Sequence, residues 1–467
     1  MSLFTKKTAG LPSEERPWLK YYGRDAVKAA FPGCTVFDMM YEANKTHPGD
    51  IAINYFGNRI SYGQLFDEID KAARAYTALG VKKGDTVIIC AYNTPENIYS
   101  LYALDRLGAV LNPVDPQISA DELREWINEC HARVILTITP VYPLIREAVK
   151  GSCAEKILFV SPDEAMSESA RFAYRLAGGT PELDSNTIRW ADFLALGENT
   201  EAAYVPYEKD RCYVVAHADG TTGCRDWVML SDDNFNAVTY SYRYIGVPFV
   251  RSQLFYNDIP PFVVCGVALT LHTALCFGLE LLLYPVFDPR TFPELFAEYK
   301  PAYFLSGPDH LRNLISYPGV QDMDLSFLVI PGLGGGYLAA GEEERINEFL
   351  AGHGCCYKVV KGFGMTETAS TAISTCAGAN DIGSIGIPII TNSVKIADPE
   401  TGAELGYGCT GEILISGPSI MLGYYNDPEA TAKAIVTDGA GTRWLRTGNL
   451  GRINEDGLIY YSGPIAK

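Results

Sequence analysis

Four short stretches hold residue types at spacings that could do chemistry on a phosphorylated ligand. In the first, Lys361-Gly362-Phe363-Gly364-Met365-Thr366-Glu367-Thr368, eight residues hold two glycines, an aromatic ring, hydroxyls and a carboxylate. Phe363 can stack on a base, Thr366 can bond a phosphate oxygen, and Glu367 can serve Mg²⁺ as a hard oxygen ligand. The second, Ala216–Leu230, reads AHADGTTGCRDWVML. Its turn Gly220-Thr221-Thr222-Gly223 offers two hydroxyls and a backbone that can approach an anion closely. In the third, Pro331-Gly332-Leu333-Gly334-Gly335-Gly336, the glycine run suits a flat ring or a phosphate laid against backbone. The fourth, Trp444-Leu445-Arg446-Thr447-Gly448-Asn449-Leu450, ends a turn on a carboxamide able to bond a hydroxyl. Taken singly, the second reads first as an ordinary glycine turn, and the third equally as an ordinary flexible link.

The elements that must position these stretches follow from periodicity. Ser61 opens an amphipathic helix to about Leu79, with Leu65, Ile69, Ala72, Ala73 and Tyr76 on one face and Gly80 ending it. Thr86–Cys90 reads as a buried strand, Pro95–Leu107 as a helix and Ala109–Pro113 as the next strand. The same alternation returns at Val214–Ala216, Ala302–Ser306 and Leu328–Ile330, the last leading through the glycine run to a helix at Ala340–Leu350. Helix and strand joined by short links imply an α/β protein with βα-type subdomains and largely parallel sheets. From Gly383 the pattern changes to short strands (Val394–Ala397, Glu412–Ser416, Leu458–Tyr461) parted by Pro/Gly turns, so the last part reads as a small β-rich, distorted-barrel subdomain. The expected boundaries are 1–205, 206–380 and 381–467, with the nucleotide stretches mostly in the second.

Bulk properties narrow the partners. The 467 residues are too many for one average core. With 38 basic and 56 acidic residues the net charge is −18, which argues against nucleic acid and anionic membrane surfaces. The twelve cysteines show no metal-ligand spacing. They read as reduced thiols of a cytoplasmic protein. The N-terminus has no apolar core of signal-peptide length. The apolar run Val263–Phe287 is interrupted by His272, Gly278, Glu280 and Pro285. It reads as a buried helix (Val267–Phe277) and a buried strand (Leu279–Tyr284), not a transmembrane segment.

In their order along the chain (Ala216–Leu230, Pro331–Gly336, Lys361–Thr368, Trp444–Leu450) the four stretches resemble the adenylate-forming (AMP-binding) superfamily, which includes acyl- and aryl-CoA synthetases. The resemblance spans roughly Val36 to the C-terminal residue, with further marks at Gly84-Asp85, Asn93-Thr94-Pro95-Glu96, Ser384-Ile385-Gly386-Ile387-Pro388, Gly411-Glu412-Ile413 and Gly423-Tyr424. It implies use of ATP and Mg²⁺ to turn a small-molecule carboxylic acid into an acyl-adenylate, then transfer to CoA. It also implies roles. Thr366 would contact the α-phosphate and Glu367 would hold Mg²⁺. Gly334, Gly335 and Phe363 would line the adenine, with Gly364 and Met365 beside it. Gly220, Thr221, Thr222 and Gly223 would take the β- and γ-phosphates, and Asn449 the ribose. The acid pocket would be lined by Phe262, Val263, Gly334 and Gly364.

The chain departs from that family's pattern where the triphosphate would lie. Asp219 stands where relatives carry a hydroxyl, and Arg225-Asp226-Trp227 where they carry Pro-Lys-Gly. Two unit charges about 4 Å apart repel by roughly 4 kcal/mol at an effective dielectric near 20. The family's ribose-gripping aspartate is Asn449 here, and Val263 replaces a histidine. The sequence as given also ends at Lys467, short of the family's mobile C-terminal domain. Two functions therefore compete: an acid–CoA ligase impaired in ATP use, and a non-catalytic relative that binds a nucleotide or acyl ligand as a regulatory or interaction module.

Overall fold

The structure, a computed structural model, describes residues 10–177, 181–218, 227–285 and 288–465. Its contacts divide the chain into two compact units. One comprises Gly33–Asn236 and Phe249–Asp288; the other comprises Met1–Pro32, Ala237–Pro248 and Pro289–Lys467.

The first unit is built on parallel strands. Val110–Pro113 and Val134–Ile138 flank Thr86–Cys90, Lys156–Val160 follows Val134–Ile138, and Thr187–Arg189 closes that edge, all in parallel. On the other side Cys212–His217 runs parallel to Val110–Pro113 and turns back antiparallel into Trp227–Ser231. The strands Val134–Ile138 and Val110–Pro113 are buried at every position, as strands covered on both faces must be. The helix Tyr62–Ala78 begins where the periodicity places it. Ser61 and Gln64 form a reciprocal capping box, and Gly80 follows the helix at φ +83°. The Pro95–Leu107 helix ends on Gly108 at φ +67°.

A further group of strands in this unit joins Leu254–Asn257, Glu280–Leu283 and Ile51–Tyr55 in parallel, with Asn58–Ser61 antiparallel at its edge. The apolar run bears out the expected helix and strand, with one difference. Gly266–Thr273 is a π-helix, followed by one α-helical turn at Ala274–Cys276. His272 is fully buried there: its Nε2 donates to Asn236 Oδ1 at 3.0 Å and its Nδ1 accepts from the Tyr102 hydroxyl at 3.1 Å. Burial lowers its pKa to about 3, so the ring is neutral and serves the core. No helix among the described residues is long and apolar enough to cross a membrane.

The second unit carries Tyr303–Ser306, Ile330–Leu333 and Val360–Met365 in parallel, then Ser370–Ser374 and Ile387–Pro388 antiparallel. Past Gly383 the chain is antiparallel, as its turn-rich composition suggests. Ser393–Ala397, Gly411–Ser416 and Arg443–Ile453 pair in sequence, with Ile435–Thr437 and Ile459–Pro464 also on Arg443–Ile453.

Three expected element boundaries move. The strand before the glycine run is Ile330–Leu333, not Leu328–Ile330, so Pro331 and Gly332 are strand residues. Gly332 is needed there: a Cβ would stand 2.5 Å from the Phe304 carbonyl oxygen of the adjacent strand. The Lys361–Thr368 stretch is not a loop; it is the strand Val360–Met365 running into a 3₁₀ turn at Thr366–Thr368. Trp444–Leu450 lies inside the long strand Arg443–Ile453 and not in a turn. Tertiary pairing on both sides recruits these glycine-bearing segments into sheets despite their poor intrinsic strand preference.

Candidate nucleotide site

The site's centre lies in the second unit, where Val360–Met365 passes into Thr366–Thr368. Gly364 lies against the returning strand so closely that a Cβ would be 1.6 Å from the Ser370 carbonyl oxygen. The turn is held by the Thr368 hydroxyl, which accepts from Met365 N at 3.0 Å and donates to Ser370 O at 2.7 Å. It then runs through two non-glycine residues in left-handed backbone, Ala369 at φ +53° and Ser370 at φ +125°. Such conformations cost about 1–3 kcal/mol each and persist only where surrounding contacts over-determine them. Here they reverse the chain within three residues, leaving Phe363 and Thr366 half-exposed and Glu367 buried.

Glu367 is anchored at both ends. Its carboxylate accepts from the Tyr424 hydroxyl at 2.9 Å, and its backbone carbonyl accepts from Met421 N at 2.8 Å. A single well-held carboxylate suits Mg²⁺ bound to a nucleotide, because that ion takes most of its six oxygens from phosphates and water. Among the described residues no group of three or more His, Cys, Asp or Glu could hold a metal by itself.

The glycine run follows Ile330–Leu333. Gly335 takes φ +65° and a Cβ there would meet nothing within 4 Å. Gly335 and Gly336 are exposed, so the backbone offers an open, flat face. Beside it a cavity of about 30 Å³ is lined by Tyr337, Leu338, Glu343, Lys361 and Ser384, among others. Lys361 and Glu343 are a buried ion pair, with Nζ 2.5 Å from Oε1, and Lys361 also donates to Asp381 O at 2.8 Å. Glu343 accepts in turn from Gly383 N at 3.0 Å. The pair thus ties the Ala340–Gly352 helix and the Val360–Met365 strand to the Asp381–Gly383 segment.

Asn449 stands in the Arg443–Ile453 strand, half-buried. Its Nδ2 donates to Thr447 O at 2.7 Å, and its Oδ1 accepts from the Tyr461 hydroxyl at 3.4 Å. The Tyr461 ring leans on Phe363 (centroids 5.9 Å apart, planes at 43°) and on Tyr337 (6.4 Å, 45°). The structure therefore brings Phe363 and Asn449 together through Tyr461. The sequence puts no functional mark on Tyr461 or Tyr337, since neither lies in a distinctive spacing. The sequence marks Tyr424 only as part of Gly423-Tyr424, and nothing local predicts that it reaches a residue 57 positions away.

In the first unit, the stretch expected to take the phosphates, including Asp219, Gly220, Thr221, Thr222, Gly223 and Asp226, lies outside the described residues. Its flanking strands pair His217 with Trp227. Trp227 stacks face to face on Trp126, with centroids 3.7 Å apart and planes at 6°. Trp126 Nε1 donates to Asn112 Oδ1 at 2.7 Å, and the Asn112 amide donates to Val215 O at 2.5 Å. The tryptophan that departs from the family pattern is thus built into the packing. Phe262 and Val263 are half-buried in this same unit, with the Phe262 ring edge-on to Tyr92 at 6.2 Å.

This arrangement of sheets matches solved acyl-CoA ligases. A long-chain-fatty-acid–CoA ligase from Archaeoglobus fulgidus superposes with a TM-score of 0.79 at 21% identity, over 94% of this chain and 85% of that one. An anthranilate–CoA ligase in complex with anthranoyl-AMP does so with a TM-score of 0.77 at 19% identity, over 94% and 79%. The protein thus has the acyl-CoA ligase fold. The profile of the AMP-binding enzyme family matches residues 40–425, and the chain belongs to that family. It is 27% identical over 459 residues to a long-chain-fatty-acid–CoA ligase of Bacillus subtilis, covering 96% of this chain and 80% of that one. It is also 27% identical over 418 residues to 4-coumarate–CoA ligase 1 of Petroselinum crispum, covering 86% and 70%.

Proposed function

We propose that the protein is an acid–CoA ligase-like member of this family that binds an adenine nucleotide and a carboxylic acid but is impaired in using ATP. The observation that supports the nucleotide reading is the strained turn after Gly364, which follows a half-exposed Phe363 and carries a half-exposed Thr366 next to a buried Glu367. Phe363 would stack on the adenine against the Gly334-Gly335 backbone, with Gly364 and Met365 alongside. Thr366 would donate to the α-phosphate, and Glu367 would hold Mg²⁺. Mg²⁺ would supply positive charge where a carboxylate approaches an anionic phosphorus. The chain's own contribution is orientation: Tyr424 and the Met421 amide hold Glu367 in one pose, so little reorganisation is needed when charge develops. Gly220, Thr221, Thr222 and Gly223 would lie along the outer phosphates. Phe262 and Val263 would line the acid pocket, and CoA would be the acyl acceptor.

Impairment is supported by the charges flanking that phosphate stretch. Asp219 and Asp226 would bring two carboxylates beside the part of ATP that leaves as pyrophosphate, if this stretch takes the outer phosphates as the family resemblance implies. Isothermal titration of AMP and of Mg·ATP into the purified chain tests this. AMP binding with Mg·ATP at least tenfold weaker supports the reading; micromolar Mg·ATP binding refutes it. Asp219→Ser with Asp226→Lys would raise Mg·ATP affinity by tenfold or more while leaving AMP unchanged. The same departures support a second reading, a non-catalytic relative acting as a regulatory or interaction module. Formation of an acyl-CoA thioester from any of a panel of acids, ATP and CoA would rule that reading out.

A further inference from the structure

The edge of the candidate site beside Phe363 is closed on itself. Asn449 directs Nδ2 to the Thr447 carbonyl oxygen at 2.7 Å, and that acceptor fixes which way the carboxamide points, because Oδ1 in its place would face another acceptor. Oδ1 consequently faces the Tyr461 hydroxyl, which donates to it at 3.4 Å. Tyr461 in turn is braced by the rings of Phe363 and Tyr337. Across the sheet, Asn449 is in register with Pro464, whose side chain carries no polar atom. A carboxylate can grip a vicinal diol in two-point fashion because it holds two adjacent acceptors on one group. Asn449 presents a single acceptor atom, already engaged, on a neutral group.

We infer that this site recognises the flat ring of its nucleotide and not the sugar's hydroxyls, so that it takes ribo- and deoxyribonucleotides of adenine alike. Asn449 and Tyr461 set this tolerance together, Asn449 as the edge group and Tyr461 as its positioning residue. The inference rests on the nucleotide reading proposed above.

Titration of the purified chain with AMP, 2′-deoxy-AMP and 2′,3′-dideoxy-AMP tests it. The three dissociation constants are expected to agree within about fivefold, the span of one neutral hydrogen bond. Asn449→Asp loses the Nδ2 donor, so its carboxylate turns away from the Thr447 carbonyl oxygen, offers two acceptors and a charge, and raises the preference for AMP over the dideoxy form beyond tenfold. Tyr461→Phe keeps the ring contacts, frees the Asn449 oxygen, and raises the same preference about threefold; a merely structural Tyr461 would weaken all three ligands equally and leave the ratio unmoved. A preference for AMP above thirtyfold in the unaltered chain would overturn the inference while leaving the nucleotide reading intact. Failure of all three to bind would overturn the nucleotide reading and the inference with it.

Discussion

Breaking the buried pair Lys361–Glu343 one side at a time should be far worse than replacing both members together. The two side chains are 8% and 1% exposed, with Nζ 2.5 Å from Oε1. Burial is the largest influence on Lys361 and lowers its pKa, with Glu343 pulling the other way without fully offsetting it. The ammonium is therefore less favoured in the folded chain than in water, and the pair adds little net stability. Lys361→Met would strand a carboxylate whose remaining hydrogen bond is Gly383 N, and should cost about 3–5 kcal/mol. Glu343→Met would strand a lysine with Asp381 O alone, at a similar cost of about 3–5 kcal/mol. Met at both positions conserves volume and removes both charges, so the double variant should lie within about 1 kcal/mol of the parent or be more stable. Urea midpoints for the four proteins give the coupling energy directly, expected at several kcal/mol and opposite in sign to the single losses. If the double variant is instead several kcal/mol less stable than the parent, the pair is a net stabiliser and the desolvation argument is wrong. AMP titration of the double variant then tests whether the pair matters for the site: Gly362 and Phe363 follow Lys361 directly, yet apolar packing should hold that strand and leave affinity within about threefold.

Other perturbations have equally definite outcomes. Glu96 is buried at the start of the Pro95–Leu107 helix, and burial pushes its pKa up to about 7 from an ordinary value near 4.5. A group raised on folding contributes stability fully below its unfolded pKa and loses it as pH rises through the folded one, so stability should fall between about pH 4.5 and 7. Glu96→Gln should flatten that slope and gain on the order of 3 kcal/mol at pH 8, read by thermal melts across pH; an unchanged slope would contradict it. His272 titrates in the opposite sense. Lowered to about 3, it makes the chain less stable as pH falls below about 6.5, and His272→Gln should remove that part of the acid sensitivity in urea unfolding. Gly364→Ala would drive a methyl group into the Ser370 carbonyl, so a loss of about 3 kcal/mol with loss of AMP binding is expected from melts and titration. Retention of both would mean that the turn is not held as tightly as the strand pairing implies.

Much of this was legible in the residues themselves. The Ser61–Gln64 cap, Gly80 and the apolar face Leu65, Ile69, Ala72, Ala73 and Tyr76 determined the Tyr62–Ala78 helix, because capping and 3.6-residue periodicity are local properties. The short buried strands and the change of style near Gly383 were legible for the same reason, as was the order of the four chemical stretches. What local pattern could not decide was which glycine-bearing segments become strands. Lys361–Met365 and Trp444–Leu450 look like loops until partners on both sides supply their hydrogen bonds. Nor could it show that Tyr424 reaches Glu367, that Tyr461 joins Asn449 to Phe363, or that Trp227 departs from its family only to stack on Trp126. Those are meetings of residues far apart in the chain, and only the closing of sheets on one another brings their side chains within reach.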